Sequence, residues 1–344
     1  MSLHSWFENM WWQATPPPLW LRCIEPVYAA LSRAHLKRRA ANSIAPALPM
    51  ISVGNITAGG SGKTPFVLWL AEQLKDKGYQ PVILCRGDGG KNTTPMLIKK
   101  SDPAAIVGDE AKMLADLSGC PVIAATDRIA GSRMAAGLMP SDLKLDGSIK
   151  QALGDILILD DGFQYRQLQR CCDIVLIPNT GIGNGHGIPA GPLREHVTSL
   201  MRADIIIRSG SACHAKACPA LSDKTEWQWL TKAVDIIDIM HSGAQTPGSV
   251  HAITAIARPQ RFFDDLKSTG LQLSGTTAYA DHHPFSHNDV KNILQHNTDI
   301  AITAKDAVKL QALWPTDQPL WLLQQRPDAD AGIMPAIEAF LPAK

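Results

Sequence analysis

The run Gly59-Gly60-Ser61-Gly62-Lys63-Thr64 constrains this chain more than any other segment. It follows an apolar stretch, Met50 to Val53, and precedes a segment in which Val67, Leu70, Ala71 and Leu74 recur on one helical face. Strand, glycine-rich turn and helix in that order form a phosphate cradle. Glycines let successive backbone N–H groups converge on phosphate oxygens, and the helix amino terminus adds unpaired N–H groups and the positive end of its dipole. Lys63 would reach the β- and γ-phosphates of ATP, and Thr64 would ligate Mg²⁺. The first glycine of the usual spacing is Thr57 here, so the cradle comprises Thr57, Ala58, Gly59, Gly60, Ser61, Gly62, Lys63 and Thr64. The motif points to nucleotide binding and does not say what the phosphate is used for.

Around this turn, short apolar runs alternate with helical periods, the signature of parallel βαβ units. Pro81 to Cys85, Pro121 to Ala125, Ile156 to Leu159, Ile174 to Ile177 and Ile205 to Ile207 read as strands of a buried parallel sheet. Thr64 to Lys77, Glu110 to Leu117 and Asp127 to Leu138 read as helices, the first closed by Gly78. A second series starts near Val250, with a strand to Ala257, helices over 260–269 and after Ser286, a strand over 300–303 and a helix to Leu313. Glu226-Trp227-Gln228-Trp229-Leu230 alternates polar and apolar, and Leu320-Trp321-Leu322-Leu323 is expected to pair with it. The expected fold is α/β, a P-loop NTPase-like, mostly parallel sheet with helices on both faces, plus a smaller α/β domain on a two-stranded linker. The corresponding divisions are an amino-terminal segment 1–40, a P-loop domain 41–225, a linker strand 226–248, a smaller domain 249–316, and a return strand and helix 317–344.

At 344 residues, 45% hydrophobic and 19% charged, the chain has material for about two packed domains. A net charge of +1 gives no global attraction to nucleic acid, and no nucleic-acid partner is expected. The seven cysteines form no framework; Cys213 and Cys218 flank His214 but lack the second half of a zinc site, so reduced thiols in a cytosolic setting are expected.

Trp6, Phe7, Trp11, Trp12 and Trp20 crowd the amino terminus, and Trp20, Ile24, Val27, Tyr28 and Leu31 then recur at helical spacing before Arg33, Lys37, Arg38 and Arg39. No stretch of about 18 apolar residues is present, so nothing here spans a bilayer. Arg22 and Glu25 also break the pattern of a cleaved signal. Two readings remain: an interfacial anchor, or a helix packed on the protein's own core. The number of tryptophans needing burial favours the anchor.

The apolar strand ending in Asp160-Asp161 supplies the magnesium partner that a P-loop requires, directly or through water. Doubling the aspartate implies a second task, either a further ion contact or a hydrogen bond to Lys63. An Asp-Asp-Gly run alone reads as a turn. No Asn-Lys-x-Asp element supports a guanine-nucleotide switch, and Ala58 stands where a partitioning-type ATPase would carry a second lysine. A kinase needs a carboxylate for its acceptor hydroxyl, and Asp109 and Asp281-His282-His283 are candidates. Asp109 reads equally as a helix N-cap. Asp281 to His283 reads equally as a surface turn, with a zinc site through His283 and His287 weakened by Pro284.

The run Val53 to Pro65 resembles the P-loop of the tetraacyldisaccharide 4′-kinases, the lipid A 4′-kinases of Gram-negative bacteria. The similarity continues in order through Arg86-Gly87, Gly108-Asp109-Glu110, Asp127-Arg128, Asp160 to Gln164, Pro189 to Glu195, Arg258-Pro259, Arg261-Phe262, Asp281-His282 and Lys305-Asp306. Asp88 replaces the family's usual Tyr, Tyr165 a common His, and Ala111 a common Pro. The resemblance implies MgATP-dependent phosphorylation of the 4′-hydroxyl of tetraacyldisaccharide 1-phosphate, an acylated lipid, at the cytoplasmic face of the inner membrane. No obligatory protein partner is implied. It implies Asp109 as proton acceptor with His282 as its dyad partner, and Lys63 on the transferred phosphate. Thr64, Asp160, Asp161 and Glu195 would hold Mg²⁺, with Asn55, Arg86, Arg128 and Gln164 near the substrates. The competing reading is a membrane-associated P-loop ATPase that drives assembly or metal delivery.

Overall fold

The computed structural model describes residues 3–13, 16–59, 61–91, 93–138, 151–210, 224–241, 243, 245–281 and 283–342. Gly60, His282, Cys213, His214 and Cys218, named above, lie outside them.

Two helices open the chain, α1 (Leu3–Trp12) and α2 (Leu19–Ala41), and Pro26 lies within α2 without ending it. The P-loop half follows: β1 (Met50–Gly54), α3 (Lys63–Asp76), β2 (Pro81–Cys85), β3 (Met96–Leu97), α4 (Ala104–Val107), α5 (Asp109–Leu117), β4 (Val122–Ala124), α6 (Arg128–Ala135), β5 (Ile156–Asp160), β6 (Cys172–Pro178) and β7 (Ile205–Ser209). The rest comprises β8 (Glu226–Asp238), β9 (Ser249–Thr254), α7 (Pro259–Ser268), β10 (Gln272–Ala278), α8 (His287–Leu294), β11 (Ile300–Ile302), α9 (Ala304–Leu310), β12 (Trp321–Ala329) and α10 (Ile333–Glu338).

The twelve strands among the described residues form one sheet in the order β10-β9-β11-β12-β8-β7-β6-β1-β5-β2-β4-β3. Its ladders are parallel except β3–β4 at the edge and β8–β12 in the middle. Every residue of β1, β2 and β5 is buried, as apolar strands covered by helices on both faces require. On one face α3, α5 and α10 contribute Phe66, Leu70, Leu74, Leu114, Ile333 and Ile337 to a single core. On the other, Met134 and Ala135 of α6 pack over β2 and β5. Each such large side chain contributes about 1.5–3 kcal/mol through burial.

Local chemistry explains why α3 begins and ends where it does. Pro65 occupies the first turn, where its missing N–H has no helical partner to lose. Gly78 closes the helix at φ +82°, its N–H donating to Lys75 O while Tyr79 N donates to Leu74 O. That crossed pair satisfies the terminal carbonyls, and the backbone conformation favours glycine.

The register of β8 and β12 departs from expectation. Residues 320–323 do not face 226–230; both strands are longer than their apolar cores, and antiparallel pairing sets Leu323 opposite Ile236 and Ala329 opposite Trp229. Strand β10 has no apolar run to announce it. It is a half-exposed edge strand with an irregular register at Gly275, where a Cβ would lie 2.6 Å from the His251 ring.

The smaller half is tied internally by Asp306, fully buried at the start of α9. Its carboxylate accepts from Thr254 Oγ1 at 2.7 Å, Ala255 N at 3.0 Å and Thr303 Oγ1 at 2.7 Å. Removing it would strand buried donors from two elements. Asp306→Ala is expected to lower unfolding stability by roughly 2–4 kcal/mol in a denaturant titration; an unchanged midpoint would show that the cluster does not hold β9 to α9.

Candidate active site

After Gly54 the chain turns at Asn55, whose side chain is fully buried and donates from Nδ2 to Thr57 O at 2.8 Å. Residues 56–58 then run alongside 192–194: Ala58 N donates to Pro192 O at 2.7 Å and Arg194 N to Ile56 O at 2.8 Å. Thr57 bridges Leu193 in this short ladder and does not have positive φ, so its position makes no demand for glycine. Gly59 and Gly62 do have positive φ, +92° and +77°, and Gly62 opens α3. Ser209 Oγ donates to Ser61 O at 2.8 Å. Thr57 Oγ1 and Ser61 Oγ are buried without a hydrogen-bond partner, which a phosphate oxygen in this turn would supply.

Lys63 points back across the turn. Its Nζ lies 3.1 Å from Asp161 Oδ1 and donates to Asn55 Oδ1 at 3.2 Å. Asp161 follows the end of β5 in the left-handed region, φ +51°, which aspartate tolerates better than most residues. Arg194 NH1 closes on the same carboxylate at 3.0 and 3.2 Å. The Asp-Gly-Phe turn packs so closely on β1 that a Cβ at Gly54 would sit 2.6 Å from Phe163 Cβ, and one at Gly162 would sit 2.7 Å from Ser52 Oγ.

The two aspartates differ in environment. Burial pushes the Asp160 carboxyl up to about 7, Lys63 opposing and the Asp161 charge adding to the rise. Burial acts on Asp161 too, but the Lys63 and Arg194 charges and their hydrogen bonds outweigh it and hold that carboxyl well below the ordinary range. A buried strand-end carboxylate whose desolvation is only partly offset, with the Thr64 hydroxyl at the start of α3, is a donor set of hard oxygens that fits Mg²⁺.

Gln164 and Glu195 form the rim. Gln164 Nε2 donates to Asn55 O at 2.9 Å and to Glu195 Oε1 at 3.1 Å, while Glu195 Oε2 pairs with Arg202 at 3.0 Å. Arg202 in turn stacks over Phe163 at 4.5 Å. Arg128 is buried beneath Tyr165, its guanidinium 5.1 Å from the ring and its Nε without a partner. Desolvation, then the nearby Arg86 charge, lowers its pKa from the ordinary arginine value. Arg86 pairs with Asp88 at 3.1 Å on the surface.

Asp109 faces a different cation. Gly108, not Asp109, caps α5, with φ +95° and so close to the Asp88 carbonyl that a Cβ would lie 2.5 Å away. The Asp109 carboxylate therefore does not cap the helix; Oδ2 lies 3.2 Å from Nζ of Lys309 on α9. Lys309 also donates to His283 O at 3.2 Å, and Lys305 pairs with Asp281 at 3.3 Å. His283 stacks on Tyr279 with Nε2 3.4 Å from Asp289 Oδ2. Among the described residues, which do not include His282, no group of three or more His, Cys, Asp or Glu is placed to hold a metal ion. Beside the P-loop a cavity of about 690 Å³ opens between the two halves, lined by Gly62, Pro65, Trp69, Ser209, Trp229 and Phe262.

Of the sequence candidates, Asn55, Lys63, Asp161, Gln164 and Glu195 are joined in one network at the cradle, whereas Asp109, Asp281 and Arg86 sit in separate ion pairs. Arg194, Arg202 and Lys309 were not among the candidates. Arg194 adjoins Glu195 and Lys309 lies one helical turn beyond Lys305, but nothing local marks their ion partners.

The raised Asp160 carboxyl has a consequence for stability. The folded state holds a proton between about pH 4 and 7 that the unfolded chain has released, so this group subtracts stability as pH rises through that interval. Asp160→Asn is expected to melt a few degrees above the parent at pH 8 without nucleotide, with the gap narrowing below pH 7 and closing near pH 4. A gap that does not change with pH would contradict it.

Comparison with known proteins extends what the geometry shows. A crystal structure of LpxK from Aquifex aeolicus in complex with ATP superposes with a TM-score of 0.73 at 22% identity, over 92% of this chain and 97% of that one, and shares the fold. The tetraacyldisaccharide 4′-kinase of Idiomarina loihiensis is 33% identical over 320 residues, 91% of each chain. That of Alcanivorax borkumensis is 32% identical over 93% of this chain and 92% of its own. The family model for tetraacyldisaccharide-1-P 4′-kinase matches residues 19–341. With the P-loop, the aspartate pair and this match along nearly the whole chain, the protein belongs to the tetraacyldisaccharide 4′-kinase family and is a phosphotransferase that uses an alcohol group as acceptor.

Proposed function

We propose that this enzyme transfers the γ-phosphate of ATP to the 4′-hydroxyl of tetraacyldisaccharide 1-phosphate at the cytoplasmic face of a bacterial inner membrane. The observation that carries this reading is the ion cluster of Lys63, Asp161 and Arg194 at the mouth of the P-loop, within a family of that activity. Phosphoryl transfer depends chiefly on alignment and charge neutralisation, and this cluster gathers the required charges before substrate arrives.

In this reading Thr57 to Thr64 wrap the phosphates, and Lys63 exchanges Asp161 for the γ-phosphate. Thr64 and Asp160 would hold Mg²⁺, and the family resemblance adds Asp161 and Glu195, although the three carboxylates are not grouped here for a metal ion. When bound, the ion would neutralise charge on the β- and γ-phosphates. Asp109 takes the proton of the acceptor hydroxyl, whose oxygen bonds to the γ-phosphorus as the β–γ bridging bond breaks and ADP departs. His282 would orient Asp109; this dyad rests on the family resemblance. Asn55, Arg86, Arg128 and Gln164 would bind or neighbour the substrates. The chain works as the divisions 41–225 and 249–316, with 226–248 and 317–344 as connecting strands and 1–40 as the anchor.

The membrane placement is supported by α2. Leu19, Trp20, Ile24, Val27 and Leu31 are exposed on one stripe, Leu19 at 73% and Leu31 at 67%. Arg33, Lys37, Arg38 and Arg39 follow on the same helix. Among the described residues no helix is long and apolar enough to cross a membrane. An apolar stripe with a basic end fits an anionic lipid surface, where an acceptor with four acyl chains would reside.

The test is transfer of labelled γ-phosphate from ATP to the acylated disaccharide in detergent with Mg²⁺. Label should appear on the acceptor, and Asp109→Ala should lower turnover by roughly 10²–10⁴-fold, with Lys63→Ala at least as damaging. Label released only to water would replace this reading with the ATPase.

A further inference from the structure

The glycine-rich loop 181–191, between β6 and Arg194, is held by the two amino-terminal helices. At the end of α1, the Trp11 carbonyl accepts from Asn184 N at 2.8 Å, and the Trp11 indole donates to Pro189 O at 3.0 Å. Asn184 Nδ2 reaches Met10 O at 3.4 Å and Ala190 O at 3.0 Å. From the polar side of α2, Glu25 Oε1 accepts from Gly187 N at 2.6 Å and Oε2 meets His186 Nδ1 at 2.8 Å. Met10, Leu21 and Ala190 bury together beneath these contacts.

The loop's glycines suit this clasp. A Cβ at Gly183 would lie 2.5 Å from Trp11 O, and one at Gly187 would lie 3.4 Å from Glu25 Oε1. A Cβ at Gly191 would lie 2.2 Å from both Asn184 Oδ1 and His186 O. Glycine is thus required where the loop meets α1 and where it folds on itself.

At its other end the loop leads directly to the cradle. Leu193 N donates to His186 O at 3.1 Å, and Ile188 N donates to Leu193 O at 3.0 Å. The same short segment pairs with residues 56–58 of the P-loop, and Arg194 holds Asp161. A continuous set of hydrogen bonds therefore runs from Glu25 to Lys63.

We propose that Glu25 is a positioning residue for phosphoryl transfer: by holding His186 and Gly187 it fixes the 181–191 loop, and with it Arg194 against Asp161. The proposal rests on the kinase reading above and adds a residue outside the cradle, on the helix that carries the exposed apolar stripe. Charge-assisted bonds from one carboxylate to two loop groups favour a single loop geometry. Small displacements of a positioned cation at a transferring phosphate are expensive, since catalysis there is mostly alignment.

Two measurements test it. In the transfer assay, Glu25→Ala should lower kcat by about tenfold or more, and Glu25→Gln, which can still accept from Gly187 N, should recover part of the loss. The double variant Glu25→Ala/Arg194→Gln should be no slower than Arg194→Gln alone, because Glu25 acts through Arg194. Losses that multiply, or parental kcat in Glu25→Ala, would overturn the proposal. Hydrogen exchange on the substrate-free protein reads the clasp without the chemistry: amides of 184–191 should exchange faster in Glu25→Ala while those of β1 and β5 keep their protection. Unchanged exchange in the loop would overturn the clasp. Absence of transfer by the parent enzyme would instead remove the kinase reading.

Discussion

The Asp161 carboxylate lies between two cations brought from separate parts of the chain, Lys63 of the P-loop helix and Arg194 of the returning loop. Much of the site's geometry depends on that meeting. The lysine bends back over its own turn, the 192–194 segment lies along 56–58, and the aspartate accepts a left-handed backbone. The three side chains remain 15–33% exposed, so solvent screening limits the contribution of each pair to stability. Their importance lies in arrangement: two positive groups are held where phosphate charge would develop, against a carboxylate that can be exchanged for it.

The neighbouring Asp160 is the complement. One carboxyl is kept ionised by cations and the other is driven toward neutrality by burial. Adjacent carboxyls with divergent proton affinities are suited to different tasks. Asp161 is suited to engage Lys63 and Arg194, and Asp160 to gain most from a metal cation. The second centre of charge, Asp109 with Lys309, joins α5 to α9 across the two halves. The antiparallel pair β8 and β12 knits those halves into one sheet.

What the sequence revealed was local. The phosphate turn, the strand ending in two aspartates and the helix closed by Gly78 each lie within a few consecutive residues, where spacing alone carries the chemistry. The alternative tasks of the doubled aspartate were also legible, and Asp161 takes the bond to Lys63. What stayed hidden depends on distant packing. Arg194 gains its meaning from a carboxylate 33 residues away, and Glu25 from a loop more than 160 residues away. The register of β8 against β12 is set by antiparallel pairing over their full lengths, not by their apolar cores. Thr57 in place of a glycine was readable as a departure; that its backbone makes no demand for glycine shows only once residues 56–58 are seen paired with 192–194.

If Asp161 occupies Lys63 and Arg194 until phosphate replaces it, removing its charge should free both cations while depriving turnover of an acidic group. Calorimetric titration of Asp161→Asn with ATP in the absence of Mg²⁺, alongside its kcat with Mg²⁺, measures both effects. The account predicts tighter metal-free ATP binding than in the parent enzyme together with a large fall in kcat. Metal-free binding that is unchanged or weaker would contradict it.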